Sequence, residues 1–398
     1  MSGNRVIKGR VETMIVFLLS PLLSIPFLLI QLRRGDRYVK IILSLLIGLL
    51  SFVYIPHFTN DKVRYFERYE NFKFIDFDGF LLHLVYTQRP DFVFEFFIFC
   101  FSKIGFNIQY LILLVSSFTF YSIYSFFENV FSYYKIERRW YKSIAPIVLV
   151  TLSVATLFSG IRFYLGTAFF LWAVDFMLLR KNTKIGILFL ALSVSTHFSF
   201  SMFVPILLLY RFFPNNALLL KALLSVCLVL WFVPKDFLER FVDVLKLSES
   251  YKGKSEAYIT DEVKRSENML ILTYIQNLWS YFAVIFLLLI KKNKITNYVK
   301  FIILSFVVIG ITHPLIVVYA RYMLVVKILF FSYLLVLKIN KKIGKLPFYT
   351  FIVVATLGFL VDIITQRNNI IASFQFENLV TMYNILSTKL GIKDFIRD

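Results

Sequence analysis

The sequence predicts an all-α protein, a polytopic transmembrane helical bundle of about 11–12 spans, each near the ~20 apolar residues needed to cross a bilayer. Three observations carry this. Of the 398 residues, 59% are hydrophobic and 19% aromatic, and the mean hydropathy of +0.73 lies far above that of soluble globular chains. Apolar runs recur along the whole length. Between them, short segments concentrate Lys and Arg, as the cytoplasmic loops of membrane proteins do.

Taken in order, the apolar runs are residues 14–31, 39–56, 109–129, 143–159, 161–179, 185–210, 216–234, 270–290, 298–318, 322–338 and 347–366. The first is long enough to span and lacks the small-residue cleavage site of a signal peptide, so it reads as a retained span. The basic segments are 32–40, 132–142, 180–184, 211–221, 291–300 and 338–345. They hold 21 of the 44 Lys and Arg and only two acids, Asp36 and Glu137. The net charge of +20 is therefore a topology signal, and no nucleic-acid partner is expected.

With all six segments inside, neighbouring segments must be separated by an even number of crossings. Two stretches fit only as incomplete crossings. "FVFEFFIFCFSKIG", residues 92–105, is interrupted by Glu95 and Lys103 and reads as an interfacial or re-entrant helix on the external side. Residues 185–210 are too few for two full spans and carry "STHFSFS" at their centre. They read as a discontinuous pair turning at His197, with Ser195, Thr196, Ser199 and Ser201 around the break. The same parity places the N-terminus outside, where Arg5, Lys8 and Arg10 sit against the rule; an inside N-terminus with a re-entrant first segment is the alternative. It also makes residues 57–108 and 235–268 external loops of a single integral-membrane domain, 1–398. The second, "SESYKGKSEAYITDEVKRSEN", reads as a mobile cover. Cys100 and Cys227 lie in apolar surroundings and suggest neither a disulfide nor a metal site. No phosphate-cradling loop, zinc motif or nucleophile elbow is present, so no cofactor is expected.

On this topology the polar residues that need explaining gather at the external boundary. Asp61 follows the second run, Arg162 opens the fifth, His197 lies at the break, and His313 and Arg321 fall in "THPLIVVYARY". An arginine at a span centre costs about 2.5–3.5 kcal/mol on insertion scales, and one kept at the rim calls for a counter-ion, a wet cavity or an anionic ligand. Snorkelling to headgroups is the plainer alternative. An Asp, two Arg and a His without Cys ligands suit an anionic, oxygen-rich substrate better than a metal. Tyr65, Tyr69, Tyr164 and Tyr322 are candidates for stacking on sugar rings, although with 23 tyrosines in the chain interfacial anchoring is the ordinary explanation. Lys327 and Asp175, inside runs, read as helix-to-helix contacts, Asp175 reaching towards Arg180.

The motifs "DKVRYFERY" (61–69), "RPDFVFEFFIFCFSKIGFNIQYL" (89–111), "SGIRFYLGTAFFLWA" (159–173), "LSVSTHFSFSMFVP" (192–205) and "YARYM" (319–323) occur in that order. Together they resemble the EpsG-type family of bacterial surface-polysaccharide polymerases, the Wzy-like group that builds O-antigen, capsule or exopolysaccharide. The correspondence runs over residues 40–335. Phe163 stands where the family has a polar residue, and Gly166 where it has Ala. The resemblance implies a GT-C-like membrane glycosyltransferase of the bacterial inner membrane, with its active site facing outward. Such an enzyme joins oligosaccharide repeat units carried on undecaprenyl diphosphate, among membrane lipids, with a flippase and a chain-length regulator as partners. Arg162 and Arg321 would then bind the diphosphate, while Asp61 and His197 would handle the acceptor hydroxyl and its proton.

Three other classes compete. A polyprenyl-phosphate-sugar glycosyltransferase often carries paired acids in its first external loop, a pattern that Asp76 and Asp78 imitate. A lipid-linked oligosaccharide flippase should carry charges through the bundle interior. An O-acyltransferase should place His and Arg near its first spans.

Overall fold

The computed structural model describes residues 2–33, 36, 38–87, 91–231, 267–291 and 295–396. The first apolar run does not form the expected single span. Helix α1 (Ser2–Leu19) stops before Pro21, and α2 (Ile25–Arg33) turns back. Proline cannot continue the donor ladder, and two hydroxyls stabilise the turn: Ser20 Oγ accepts from Leu23 N at 3.3 Å and Ser24 Oγ donates to Pro21 O at 2.6 Å. Arg10 pairs with Asp36 at 2.5 Å and covers the ring of Tyr38, the first residue of α3 (Tyr38–Val53). Phe17, two turns further on, packs with Phe52 and Val53 at the other end of α3. The chain therefore enters α1 at the end of the bundle that holds segment 32–40. Placing the N-terminus at the opposite end is corrected, and Arg10 joins the other basic residues.

Helices α4 (Asp61–Phe72), α5 (Phe77–Thr87) and α6 (Phe92–Ile104) follow, then α7 (Ile108–Tyr133). The 13 residues of α6 make a rod of about 20 Å, short of the ~30 Å hydrocarbon core. It ends at Gly105 in the left-handed region, φ 79°, a conformation that glycine adopts without Cβ strain. One face of α4, with Val63, Tyr65, Phe66, Tyr69 and Phe72, is buried with Phe94, Ile98 and Phe99 of α6 and Ile112 of α7. Helices α3 and α7 approach closely because the residues between them are small. A Cβ on Gly48 would lie 2.0 Å from Ser117 Oγ, and Ser116 Oγ donates to Ser51 Oγ at 2.8 Å, a small-residue contact typical of membrane helix pairs.

Run 143–159 also departs from the expected continuous span. It divides into α8 (Ile144–Thr151) and α9 (Val154–Ser159), with Leu152 extended between them and the Ser153 hydroxyl capping α9. Local hydroxyl bonds compete with the helical ladder here: Thr151 Oγ1 donates to Val148 O at 2.9 Å and Thr156 Oγ1 to Ser153 O at 3.1 Å. Helix α10 (Ile161–Val174) runs on as a π-turn to Leu179, where Asp175 pairs with Arg180 at 2.8 Å. Helices α11 (Thr183–Thr196) and α12 (Phe203–Phe212) are separated by an extended His197 and the 3-10 turn Phe198–Met202. This is the discontinuous pair the sequence predicts.

The rest comprises α13 (Ala217–Leu230), α14 (Glu267–Leu289), α15 (Asn297–Gly310), α16 (Ile316–Ile339), α17 (Lys345–Thr365) and the short α18 (Arg367–Ser373), α19 (Phe376–Leu379) and α20 (Met382–Ser387). Residues 232–266, and with them nearly all of the expected cover 235–268, lie outside the described residues. Among the described residues, five helices are long and apolar enough to cross a membrane: Ile108–Tyr133, Ile161–Leu179, Glu267–Leu289, Val318–Ile339 and Lys345–Thr365. Shorter apolar helices, α3, α11, α13, α15 and residues 198–212, accompany them. The architecture is an all-α polytopic membrane bundle.

Helix direction sorts the connections into two ends. At one, Tyr134 and Thr296 hydroxyls lie 2.9 Å apart, Asn215 bonds Asn297 at 3.3 Å and Lys300 Nζ donates to Phe213 O at 2.8 Å, tying three basic segments together. The other end collects the close of α3, α11 and α17 and the start of α4, α7, α10, α12 and α16. The C-terminal tail lies across it. Phe395 meets Phe66 edge-on at 5.2 Å, Leu390 N donates to Gln109 Oε1 at 2.9 Å, and Phe58 N donates to Ile396 O at 2.9 Å.

Candidate functional site

Three elements converge at this second end. On α4, Asp61, Tyr65 and Arg68 fall on one face by i, i+4, i+7 spacing. Asp91 precedes α6, and Glu95 follows one turn later. Arg162 is the second residue of α10, a place where the helix dipole disfavours a cation; its carboxylate neighbours offset this. Arg162 Nη1 donates to Asp91 Oδ2 at 2.6 Å, the side chains being 15% and 4% exposed. Arg68 pairs with Glu95. Asp61 and Glu95 also lie within electrostatic reach of Arg162, and the Tyr65 hydroxyl lies within reach of Asp61, Glu95, Arg68 and Arg162. Burial pushes the Tyr65 phenol well above its ordinary pKa, so it stays a neutral donor.

Three atoms of this cluster, Tyr65 Oη, Asp91 Oδ1 and Arg162 Nε, are buried with no hydrogen-bond partner among the described residues. Each such atom carries a desolvation cost of about 1–3 kcal/mol that a bound polar group would relieve. Among the described residues no three His, Cys, Asp or Glu converge as a metal-ligand set.

The other sequence candidates distribute around α10. His197 sits against Gly166, one turn on from Arg162: a Cβ on Gly166 would lie 3.4 Å from His197 Cβ. Its Nδ1 is 2.6 Å from Ser199 Oγ and accepts from Ser199 N at 3.3 Å, which assigns the ring proton of the neutral form to Nε2. Rings then run in sequence from Phe163 to Phe200 at 5.2 Å, Phe203 at 5.8 Å and Tyr322 at 6.1 Å. Through Tyr322 the half-buried Arg321 belongs to the same end.

Two of the candidate tyrosines turn inward. Tyr69 donates to Phe106 O at 2.8 Å, and Tyr164, 2% exposed, donates to Ser153 O at 2.9 Å. His313 stacks on Trp231 at 4.6 Å with Nε2 2.8 Å from Tyr281 Oη. Asp76 accepts from Gly79 N at 2.8 Å, a capping role at the start of α5. Lys327 Nζ donates to Val150 O at 3.3 Å, at the broken end of α8, with Asp362 in electrostatic reach.

Sequence pattern alone misses Arg68 and Asp91 and treats Glu95 only as an interruption. The signals exist: Arg68 continues the face of Asp61 and Tyr65, and Asp91 and Glu95 are an i, i+4 acidic pair at the head of an apolar helix. Lys62 is missed as well. It is 0% exposed, and its Nζ donates to Ser51 O at 2.9 Å and Tyr54 O at 2.5 Å, closing the carbonyl end of α3.

Fold and cluster together define an integral membrane protein with a paired cluster of ionisable groups at one end of a helical bundle, around an arginine at a span entrance. The chain belongs to the EpsG family: the family model matches residues 60–376, which contain every member of the cluster. No curated protein and no solved structure matches the chain.

Proposed function

We propose that this protein is a surface-polysaccharide polymerase, a membrane glycosyltransferase that moves a growing glycan from undecaprenyl diphosphate to a sugar hydroxyl of a second lipid-linked repeat unit. In that reaction the glycosyl C–O bond to the diphosphate breaks and the diphosphate leaves with the electron pair. The acceptor oxygen forms the new C–O bond, and its proton passes to a base. Membership of the EpsG family supports the reading. The observation that carries it is Arg162, a guanidinium held among carboxylates at a span entrance, with its Nε buried and unpartnered among the described residues.

In this reading Arg162 stabilises the charge developing on the leaving diphosphate, and Arg321 is the second cation. Asp61 and His197 position the acceptor hydroxyl and take its proton. The end that carries them faces outward from the bacterial inner membrane, since the basic segments at the other end are cytoplasmic.

The test uses cells lacking the native gene, complemented with Arg162→Ala or Arg321→Ala at matched membrane levels, with chain length read as a gel ladder. Loss of one charge-stabilising donor costs about 10²- to 10³-fold in rate, so the ladder collapses to single exported repeat units. An unchanged ladder in Arg162→Ala overturns the assignment.

A further inference from the structure

We propose that Asp91 is a positioning residue that holds Arg162 until substrate arrives and then hands it to the lipid diphosphate, moving on release to the N-terminus of its own helix, α6. The inference rests on the assignment of Arg162 to the diphosphate. It starts from a misplaced cap. Asp91 occupies the N-cap of α6 yet makes no capping hydrogen bond, and its backbone (φ −91°, ψ 63°) is outside the extended region that capping residues adopt. Its carboxylate is instead engaged by Arg162 at 2.6 Å. The engagement is partial: Asp91 Oδ1 and Arg162 Nε are both buried with no hydrogen-bond partner among the described residues.

Charge makes the arrangement a resting one. Three carboxylates, Asp61, Asp91 and Glu95, stand around Arg162; Arg64 Nη1 lies 3.4 Å from Asp61 and Arg68 pairs with Glu95, while Asp91 pairs with Arg162 itself. A diphosphate brought to Arg162 meets like charge that is relieved when Asp91 leaves. The released carboxylate has a place to go. An N-cap side chain accepts from the amides two or three residues on, here those of Val93 and Phe94, and sits at the positive end of the helix dipole. One charge-assisted bond replaces another. The two arrangements are thus close enough in free energy for differential binding by the substrate to choose between them.

Two variants separate the roles of the side chain. Asp91→Asn caps as well as Asp but carries no charge to hold Arg162; Asp91→Glu keeps the charge and caps poorly. The measurement is binding of undecaprenyl diphosphate to the purified full-length protein in nanodiscs, with initial polymerisation rates alongside. Asp91→Asn is expected to bind about tenfold more tightly, as when one charge-assisted bond no longer has to be broken, with a lower half-saturating donor concentration and sustained turnover. Asp91→Glu is expected to bind more weakly than the native protein. Parallel losses in both variants overturn the hand-off in favour of a purely structural pair, and unchanged binding in Asp91→Asn overturns it outright. Arg162→Ala is the control. If it binds like the native protein, the diphosphate assignment fails and the hand-off with it; if it binds weakly while Asp91→Asn is unchanged, only the hand-off fails.

Discussion

Burial of Lys62 joins α3 to α4 through a side chain whose charge depends on pH. Its pKa falls from the ordinary 10.5 to about 7, because burial penalises the ammonium form. Between those values the unfolded chain binds more protons than the folded one, so stability rises as pH rises from 7 towards 10.5. Lys62→Met removes this dependence. The thermal midpoint of the detergent-solubilised native protein is expected to gain on that of Lys62→Met between pH 7 and pH 9; parallel profiles would mean that Lys62 keeps its ordinary pKa. At this scale the sequence was informative where a residue violates its surroundings. Arg162 interrupts an apolar stretch and Asp61 follows one, so both were legible. Asp91 was not, because its partner lies 71 positions away and no local pattern encodes that pairing.

Among the elements, the broken pair α11–α12 depends on one small residue. A Cβ on Gly166 would lie 2.6 Å from Phe200 Cε2 and 2.9 Å from its Cδ2, and the Phe200 ring is fully buried against Phe163, Phe170 and Phe203. Gly166→Ala overpacks this contact at a cost of about 1–3 kcal/mol. It is expected to lower the thermal midpoint and to weaken polymerisation, whereas an unaltered midpoint would mean that the turn moves aside freely. The break at His197 is readable because the 26 residues 185–210 are too few for two full crossings and carry polar residues at their centre. The bend at Leu152 and the place of the bend at Pro21 are not legible in the pattern: hydropathy sums over a run, while those bends arise from single hydroxyls and a missing amide proton.

The whole molecule is polarised along its long axis, with basic connections at one end and the paired ionisable cluster at the other. If the basic end is cytoplasmic, single cysteines report it directly. With Cys100 and Cys227 replaced by alanine, Ser199→Cys is expected to react in intact spheroplasts with a membrane-impermeant maleimide, and Asn340→Cys to react only after lysis. The reverse pattern would invert the topology. Charge counting foresaw this polarity because insertion acts on loops, which are contiguous in sequence. It leaves the first apolar run open between a span and a re-entrant segment, because a hairpin and a span have the same composition.

Residues 390–396 lie across this end of the bundle, Phe395 against Phe66 of α4, Leu390 on Gln109 of α7 and Ile396 on Phe58 just before α4. Residues near position 60 acquire these neighbours only when residues 390–396 emerge. During synthesis, the helix bearing Asp61 and Tyr65 waits, incompletely covered, while every later helix is inserted. This contact of high sequence separation makes completion of the site a late folding event. A protein assembled in that order closes this end only after residues 390–396 are made, so a copy truncated before them would hold the scaffold without the closed end.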